Sequence, residues 1–396
     1  MTSYKTIVLK PGKEESLLRF HPWVFSGAIK KMPSDLKEGE TVRVASADGM
    51  FLGIGHYQIG SIAVRVFSFT DAEADHGFWI AKIRNAWQLR KLEGLSNPGY
   101  HSLFRWIHGE GDGMPGLIVD FYNGVAVMQM HSVGMYLIRQ ELMTALTEVA
   151  GGELLAVFDK SEKTLPFKAG LSPKDGYLWG NAPVPHTVAE HGLLFQVDWE
   201  TGQKTGFFID QRENRKLVEH YSKGRSVLNM FCYTGGFSVY ALRGGAGEVH
   251  SVDSSGKAIE LTNANVSLNF PGDNRHLAVE ADAFDYLKEM SGRYDLIILD
   301  PPAFAKHQEA LPQALKAYKR INARALQQIA PKGVLFTFSC SQIVSREKFR
   351  EAVFSAAAIS RRQVSILHQL TQPADHPVSI YHPEGEYLKG LVLHVE

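Results

Sequence analysis

Residues 226–237 read Ser-Val-Leu-Asn-Met-Phe-Cys-Tyr-Thr-Gly-Gly-Phe. An apolar run of strand length stops at a pair of glycines, and 236–242 beyond them carries helical spacing. The alternation repeats downstream. Apolar runs at 248–253, 277–282, 294–300 and 333–340 are separated by helical stretches near 257–269, 284–290, 312–329 and 345–359. Five βα units in series predict an α/β fold with a mostly parallel sheet, helices covering both faces. In such sheets ligands bind outside the carboxyl ends of the strands, so the residues there are the first candidates for function.

Gly235 and Gly236 end the first strand. Glycines let backbone approach a ligand closely, and the helix they open offers free N–H donors to an anion. A tight strand-to-helix joint is the other reading of the same pair. The spacing is not G-x-G-x-x-G, so a nicotinamide dehydrogenase fits poorly. The second strand ends in Asp253, about 18 residues after the glycines, where a carboxylate can accept both hydroxyls of a ribose. The third ends in Asp282, the fourth in Asp300-Pro301-Pro302-Ala303-Phe304, and the fifth in Cys340. A single Asp there is commonly a helix N-cap. Three at successive strand ends, beside a glycine turn, point to a ligand site.

The 396 residues allow two or three domains. Residues 1–72, with apolar-alternating runs at 41–45, 51–57 and 62–69 between glycines, read as a small β-rich domain. A helix is expected over 72–93. Strands at 116–122, 125–131 and 154–159 around a helical 136–149 make 73–185 a small α+β middle domain. The NAPVP of 181–185 is the candidate linker before the domain of 186–396. Lys plus Arg and Asp plus Glu each total 42, giving a formal net charge of +0, so nucleic acid must be met by local patches rather than by a bulk field. Two cysteines among 16 histidines exclude a disulfide framework and a Cys-rich zinc module; no metal is expected. No apolar run reaches signal-peptide or membrane-span length, so a soluble, cytoplasmic protein is expected.

The strand-end residues resemble those of a class I S-adenosylmethionine-dependent methyltransferase with a Rossmann-like sheet. The resemblance implies that Gln211, Asn229, Phe231, Tyr233, Gly235, Gly236, Asp253, Asp282 and Asp300 line the cofactor, with Asp253 on the ribose and Asp282 on the adenine. The stretches GQKTGFFIDQR (202–212), NMFCYTGGFSVYAL (229–242), DPPAF (300–304), FTFSCS (336–341) and HPEGEYLKG (382–390) look like the ribosomal RNA large-subunit methyltransferase I family, which makes 5-methylcytidine in 23S rRNA. HPWVFSGAI (21–29) and LGIGHY (52–57) resemble that family's N-terminal PUA RNA-binding domain. Free 23S rRNA or a large-subunit assembly particle is the implied partner, and a homodimer is compatible with the chain.

Carbon 5 of cytosine is too weak a nucleophile to attack a sulfonium methyl until a thiolate has added to carbon 6. Cys340, in the FTFSCSQ that matches the family's catalytic motif, is the expected nucleophile, while Cys232 in the cofactor turn packs. A protonated Asp300 could donate to N3 and stabilise the charge that grows on the base. Pro301 and Pro302 fix the backbone there, and Phe304 offers a face to the base. Arg212, with Arg215 and Lys216 on a helix after Asp210, could face RNA, as could His21, Trp23, His56 and Tyr57. His376 and Pro377 resemble a family element without a derived role. DPPAFAK (300–306) holds no cysteine, and the group that removes the carbon 5 proton is left open. An amino-group methyltransferase, which needs no thiol, and a non-catalytic ribosome-assembly protein are the alternatives.

Overall fold

The computed structural model describes residues 4–97, 99–166, 170–288, 290, 292–305 and 307–396. Residues 167–169 of the middle domain, residue 289 of the helix expected over 284–290, and Lys306 of DPPAFAK lie outside the described residues. The chain forms two compact units, one of 1–191, 197–209 and 374–385, the other of 192–196, 210–373 and 386–396. Residues 197–209 and 374–385, which the sequence groups with the third domain, thus pack with the first unit.

In the first unit the short alternating runs form a six-stranded sheet. Its strands are β1 (Lys5–Leu9), β2 (Trp23–Phe25), β3 (Ile29–Lys31), β4 (Thr41–Ala45), β5 (Phe51–Tyr57) and β6 (Ile62–Ser68), ordered β2-β6-β5-β4-β1-β3. The inward positions Ile7, Val42, Val44, Val64 and Val66 make its core, as period-2 patterning requires. A short helix, α1 (Glu15–Leu18), follows β1, and α2 (His76–Leu92) starts where the Asp75 side chain accepts the Phe78 N–H. A five-stranded sheet comes next, ordered β11-β10-β9-β8-β7, from β7 (Leu103–His108), β8 (Leu117–Tyr122), β9 (Val125–Met130), β10 (Ala156–Asp159) and β11 (Gly176–Gly180). The helix expected over 136–149 is two helices, α3 (Val133–Leu137) and α4 (Arg139–Ala150), hinged at Ile138. Ser132 causes the early start by capping the Met135 N–H, a local bond that the apolar period does not encode.

The segment 374–385 is held in this unit by buried polar bonds. Arg90, 0% exposed, pairs through both Nη atoms with Asp112 at 2.6 and 2.7 Å and donates to the Asp375 carbonyl at 2.8 Å. The Arg105 N–H donates to the Asp375 carboxylate at 2.9 Å.

The chain continues through β12 (His186–Glu190) and β13 (Leu193–Val197) to α5 (Arg212–Tyr221). The second unit is a seven-stranded sheet, ordered β16-β15-β14-β17-β18-β20-β19. Five strands are parallel: β14 (Ser226–Met230), β15 (Glu248–Asp253), β16 (His276–Glu280), β17 (Leu296–Leu299) and β18 (Gly333–Ser339). The last two, β19 (Val364–Leu370) and β20 (Lys389–Val395), run antiparallel, with β20 between β18 and β19. Helices α6 (Gly236–Arg243), α7 (Gly256–Asn269), α8 (Ala283–Tyr286), α9 (Leu311–Gln328) and α10 (Arg346–Ser360) follow β14 to β18 in turn. Only α8 departs from expectation, with four residues where 284–290 is expected. Leu228, Met230, Ile297, Leu299 and Leu335 from the central strands are buried against α9 and α10.

Breaking a buried pair by removing one partner costs about 3–5 kcal/mol. Replacing Arg90 with Met leaves the Asp112 carboxylate buried without its guanidinium, and a urea unfolding series should report a loss of that order.

Candidate active site

β14 is hydrogen-bonded to β15 on one side and to β17 on the other, so the strand order reverses there and the turn after Met230 opens a crevice. That turn is strained. Phe231 has φ +59°, Tyr233 φ +47° and Gly235 φ +74°. The left-handed region suits glycine but costs an aromatic residue energy, and such strain gathers at ligand sites. Two glycines are needed for space as well. A Cβ on Gly235 would stand 2.7 Å from Thr262 Cγ2, and one on Gly236 would stand 2.9 Å from Arg215 Cδ.

The turn is braced by Asp253, whose Oδ2 accepts the Tyr233 N–H at 3.1 Å while Oδ1 accepts the Ser255 N–H at 3.0 Å. Asp253 remains half-buried at the end of β15. Asp282 caps α8, with Oδ1 accepting the N–H groups of Phe284 at 2.8 Å and Asp285 at 3.1 Å. The carboxylate is exposed, and both bonds use one oxygen, so capping and ligand binding are compatible.

Asn229 does not face the crevice. It is 0% exposed within β14, its amide donating to Ser238 at 2.9 Å. Cys232 is also buried, and burial pushes its thiol up to about 12. Gln211 is buried, accepts from the Asn214 amide at 2.6 Å, and hydrogen-bonds Asp300. Burial raises the Asp300 carboxyl to about 7, and the negative charge of Asp210 adds to the effect, against the opposing pull of Gln211 and Arg215. Asp210 receives the Tyr387 hydroxyl on Oδ2 at 2.7 Å, while its buried Oδ1 has no hydrogen-bond partner among the described residues.

One strand over, Cys340 follows the last residue of β18, half-buried, with Sγ 3.9 Å from the Pro301 carbonyl. Parallel register sets this neighbourhood: Leu299 pairs with Thr337, so Asp300 and Cys340 leave the same edge of adjacent strands. The loop between them is fixed by the Ser341 hydroxyl, which donates to the Ala305 carbonyl at 2.8 Å. Pro301 is buried and Pro302 exposed. Phe304 is half-buried, its ring 4.7 Å from that of Tyr318, so part of the face expected for the base packs on α9 instead. The Tyr318 hydroxyl is pushed up to about 12, chiefly by burial, and stays neutral. Tyr318 carries no signal in the sequence. Asp210 in 202–212 and Lys389 in 382–390 carry no distinguishing signal of their own within those stretches.

The basic stretch is corrected. Arg212 and Arg215 are 1% and 3% exposed, and Lys216 alone of the three is exposed. His56 and Tyr57 are likewise core residues, and burial drives His56 down to about 4. Trp23 donates from Nε1 to Glu110 at 2.8 Å. His21 lies with His382 and Glu384 in a group whose ligand atoms fall within 4.8 Å of one another. His21 Nδ1 accepts the Trp23 N–H at 3.3 Å, which puts the proton on Nε2, 3.4 Å from Glu384. A nitrogen that carries a proton donates to the carboxylate rather than ligating a cation. His376 is buried in the first unit, beside Asp375 and the His108 ring.

A family model described as S-adenosylmethionine-dependent methyltransferase matches residues 105–378, and one described as PUA-like domain matches 7–69. Ribosomal RNA large subunit methyltransferase I of Alteromonas mediterranea is 39% identical over 394 residues, covering 98% of each chain. The protein of that name from Erwinia tasmaniensis is 38% identical, covering 98% of this chain and 99% of its own. A solved Streptococcus mutans chain, described as a candidate S-adenosylmethionine-dependent methyltransferase, superposes with a TM-score of 0.84 at 23% identity, over 98% of this chain and 100% of that one. A second, crystallised with S-adenosylhomocysteine, gives 0.85 at 24% identity, over the same shares. These two solved chains share the fold; the full-length identities go further, and this chain belongs to the ribosomal RNA large subunit methyltransferase I family of S-adenosylmethionine-dependent methyltransferases.

Proposed function

We propose that the protein methylates carbon 5 of a cytidine in 23S rRNA through a covalent adduct of Cys340 at carbon 6. The observation that carries this reading is a half-buried thiol one strand away from a carboxyl group that is still partly protonated at neutral pH. S-adenosylmethionine supplies an electrophilic methyl. The strand ends suit it: the glycine turn that opens α6, the half-buried Asp253 and the exposed Asp282 match the needs of the methionyl, ribose and adenine parts. Residues 1–72 are proposed to hold the RNA, 73–185 to connect, and 186–396 to catalyse. The substrate, free rRNA or an assembly particle, implies a cytoplasmic setting.

The target base must leave its stack to reach a strand-edge thiol, which costs a few kcal/mol and least in single-stranded RNA. Cys340 Sγ then bonds to carbon 6, and the C5=C6 electron pair moves onto the ring. Asp300, protonated, donates to N3 and takes up that developing charge. Carbon 5 gains the methyl, its proton leaves to a base, and expulsion of the thiolate restores the double bond. The exposed edge of Phe304 can stack on the splayed base.

Replacing Asp253 or Asp282 with Ala leaves cofactor donors unpaired, a loss of about 1–3 kcal/mol each. Calorimetric titration with S-adenosylmethionine should show it; unchanged affinity in both folded variants would remove the assignment.

An rRNA fragment carrying 5-fluorocytidine at the target has no carbon 5 proton to lose, so the adduct should survive denaturing electrophoresis. Cys340→Ala should abolish adduct and methylation, and Cys232→Ala should retain both. Methylation persisting in Cys340→Ala would favour transfer to an amino group.

Asp300 also predicts a pH dependence. In the unfolded chain it ionises near the ordinary carboxyl value of about 4, and in the native site near 7. Between those values the unfolded state holds fewer protons, so this residue lowers stability as pH rises, and its effect levels off above 7. Asp300→Asn should therefore gain more in urea midpoint over wild type at pH 8 than at pH 5, while losing methylation.

A further inference from the structure

β20 is antiparallel to β18, with Lys389 opposite Ser339, the residue before Cys340. Lys389 is 3% exposed, and its Nζ donates to the carbonyl of Ser341, the residue after Cys340, at 2.6 Å. The side chain therefore spans the level of Cys340 along the chain, from residue 339 to residue 341. The carbonyl uses one of the three N–H donors of an ammonium. A buried cation is costly unless an anion faces it. We propose that Lys389 is the cationic partner that holds Cys340 as its thiolate, a positioning residue for the nucleophile.

The charges around the pair fit this role. Burial lowers the Lys389 amine to about 8, and Cys340 is the strongest influence pulling it back up. Glu386 pulls weakly in the same direction and Arg346 opposes; those two pair with each other at 3.1 Å. From α9 the Tyr318 hydroxyl stays neutral, and Asp300, just past β17, is partly protonated at pH 7 and becomes an anion above it. The transfer is balanced within the pair: the Cys340 S–H proton moves to the neutral amine, giving thiolate and ammonium. A free thiol ionises near 8.5 and this amine, with the pull of Cys340 included, near 8, so the two groups titrate in the same range and the proton can pass between them. The thiolate is the form that attacks and that later departs, and an ammonium alongside favours both.

The role in catalysis rests on the covalent reading above, but the pairing is testable without it. Alkylation of Cys340 by iodoacetamide, followed across pH by mass spectrometry of its peptide, reads the thiol directly. In the wild-type protein the midpoint should lie below 8.5; a midpoint at or above that value overturns the proposal, whatever the variants do. Lys389→Met should raise the midpoint by at least one unit, about tenfold slower alkylation at pH 7, and Lys389→Arg should restore most of it. An unmoved midpoint in folded Lys389→Met also overturns it. A moved midpoint together with methylation that survives Cys340→Ala would keep the pairing and discard the covalent route.

Discussion

The reversal of strand order at β14 is the constraint on which the site depends. Because β14 bonds to β15 on one side and β17 on the other, the helices after β14 and β15 are carried away from those after β17 and β18. The carboxyl edge is left open between them. Each functional residue then needs only to end its strand in register. Asp253 ends β15, Asp300 follows β17 and Cys340 follows β18, and parallel pairing keeps them on one rim.

On that rim the two halves of the crevice are built differently. The half under the glycine turn is held by backbone: carboxylate oxygens of Asp253 and Asp282 accept main-chain N–H groups, and of the left-handed residues 231, 233 and 235 the second is tied by its N–H to Asp253. The half around Asp300 and Cys340 is held by dehydration and charge. Asp210, Gln211, Arg215 and Lys389 are all buried or nearly so, and each alters the proton affinity of a neighbour or has its own altered. A binding half gains from rigidity, whereas a reacting half needs groups whose protonation can change near neutral pH.

The sequence made the sheet legible because its central strands β14, β17 and β18 are buried on both faces and read as largely apolar runs; 248–253 matches β15 end for end. It also gave the rim residues, since a residue that ends a strand is visible as the end of a run. What it could not give were features set by tertiary contact. The helix over 136–149 begins early, at Val133, because a serine side chain bonds backbone three residues on. Arg212 and Arg215 look like a solvated basic face because charge in a sequence carries no sign of burial. Asn229 sits among residues that resemblance assigns to the cofactor, yet alternation along β14 turns it inward. Lys389 has no signal of its own within 382–390, since only strand pairing brings residue 389 beside residue 340.

The place of β20 has a consequence for how the protein is made. It is last of the seven strands in sequence but paired on both sides in the sheet, so residues 333–339 and 364–370 are synthesised before the strand that joins them. Until 389–395 emerge from the ribosome, β18 presents an unpaired edge whose seven residues are all buried in the finished fold, a surface prone to pairing with other chains. A chain interrupted before Lys389 can already hold the glycine turn, the three acids and the cysteine, yet it lacks both the strand that seals the sheet and the amine beside the thiol. Closure of the sheet and arrival of that amine are one event, so a nascent chain gains its reactive thiol only as it loses its open edge.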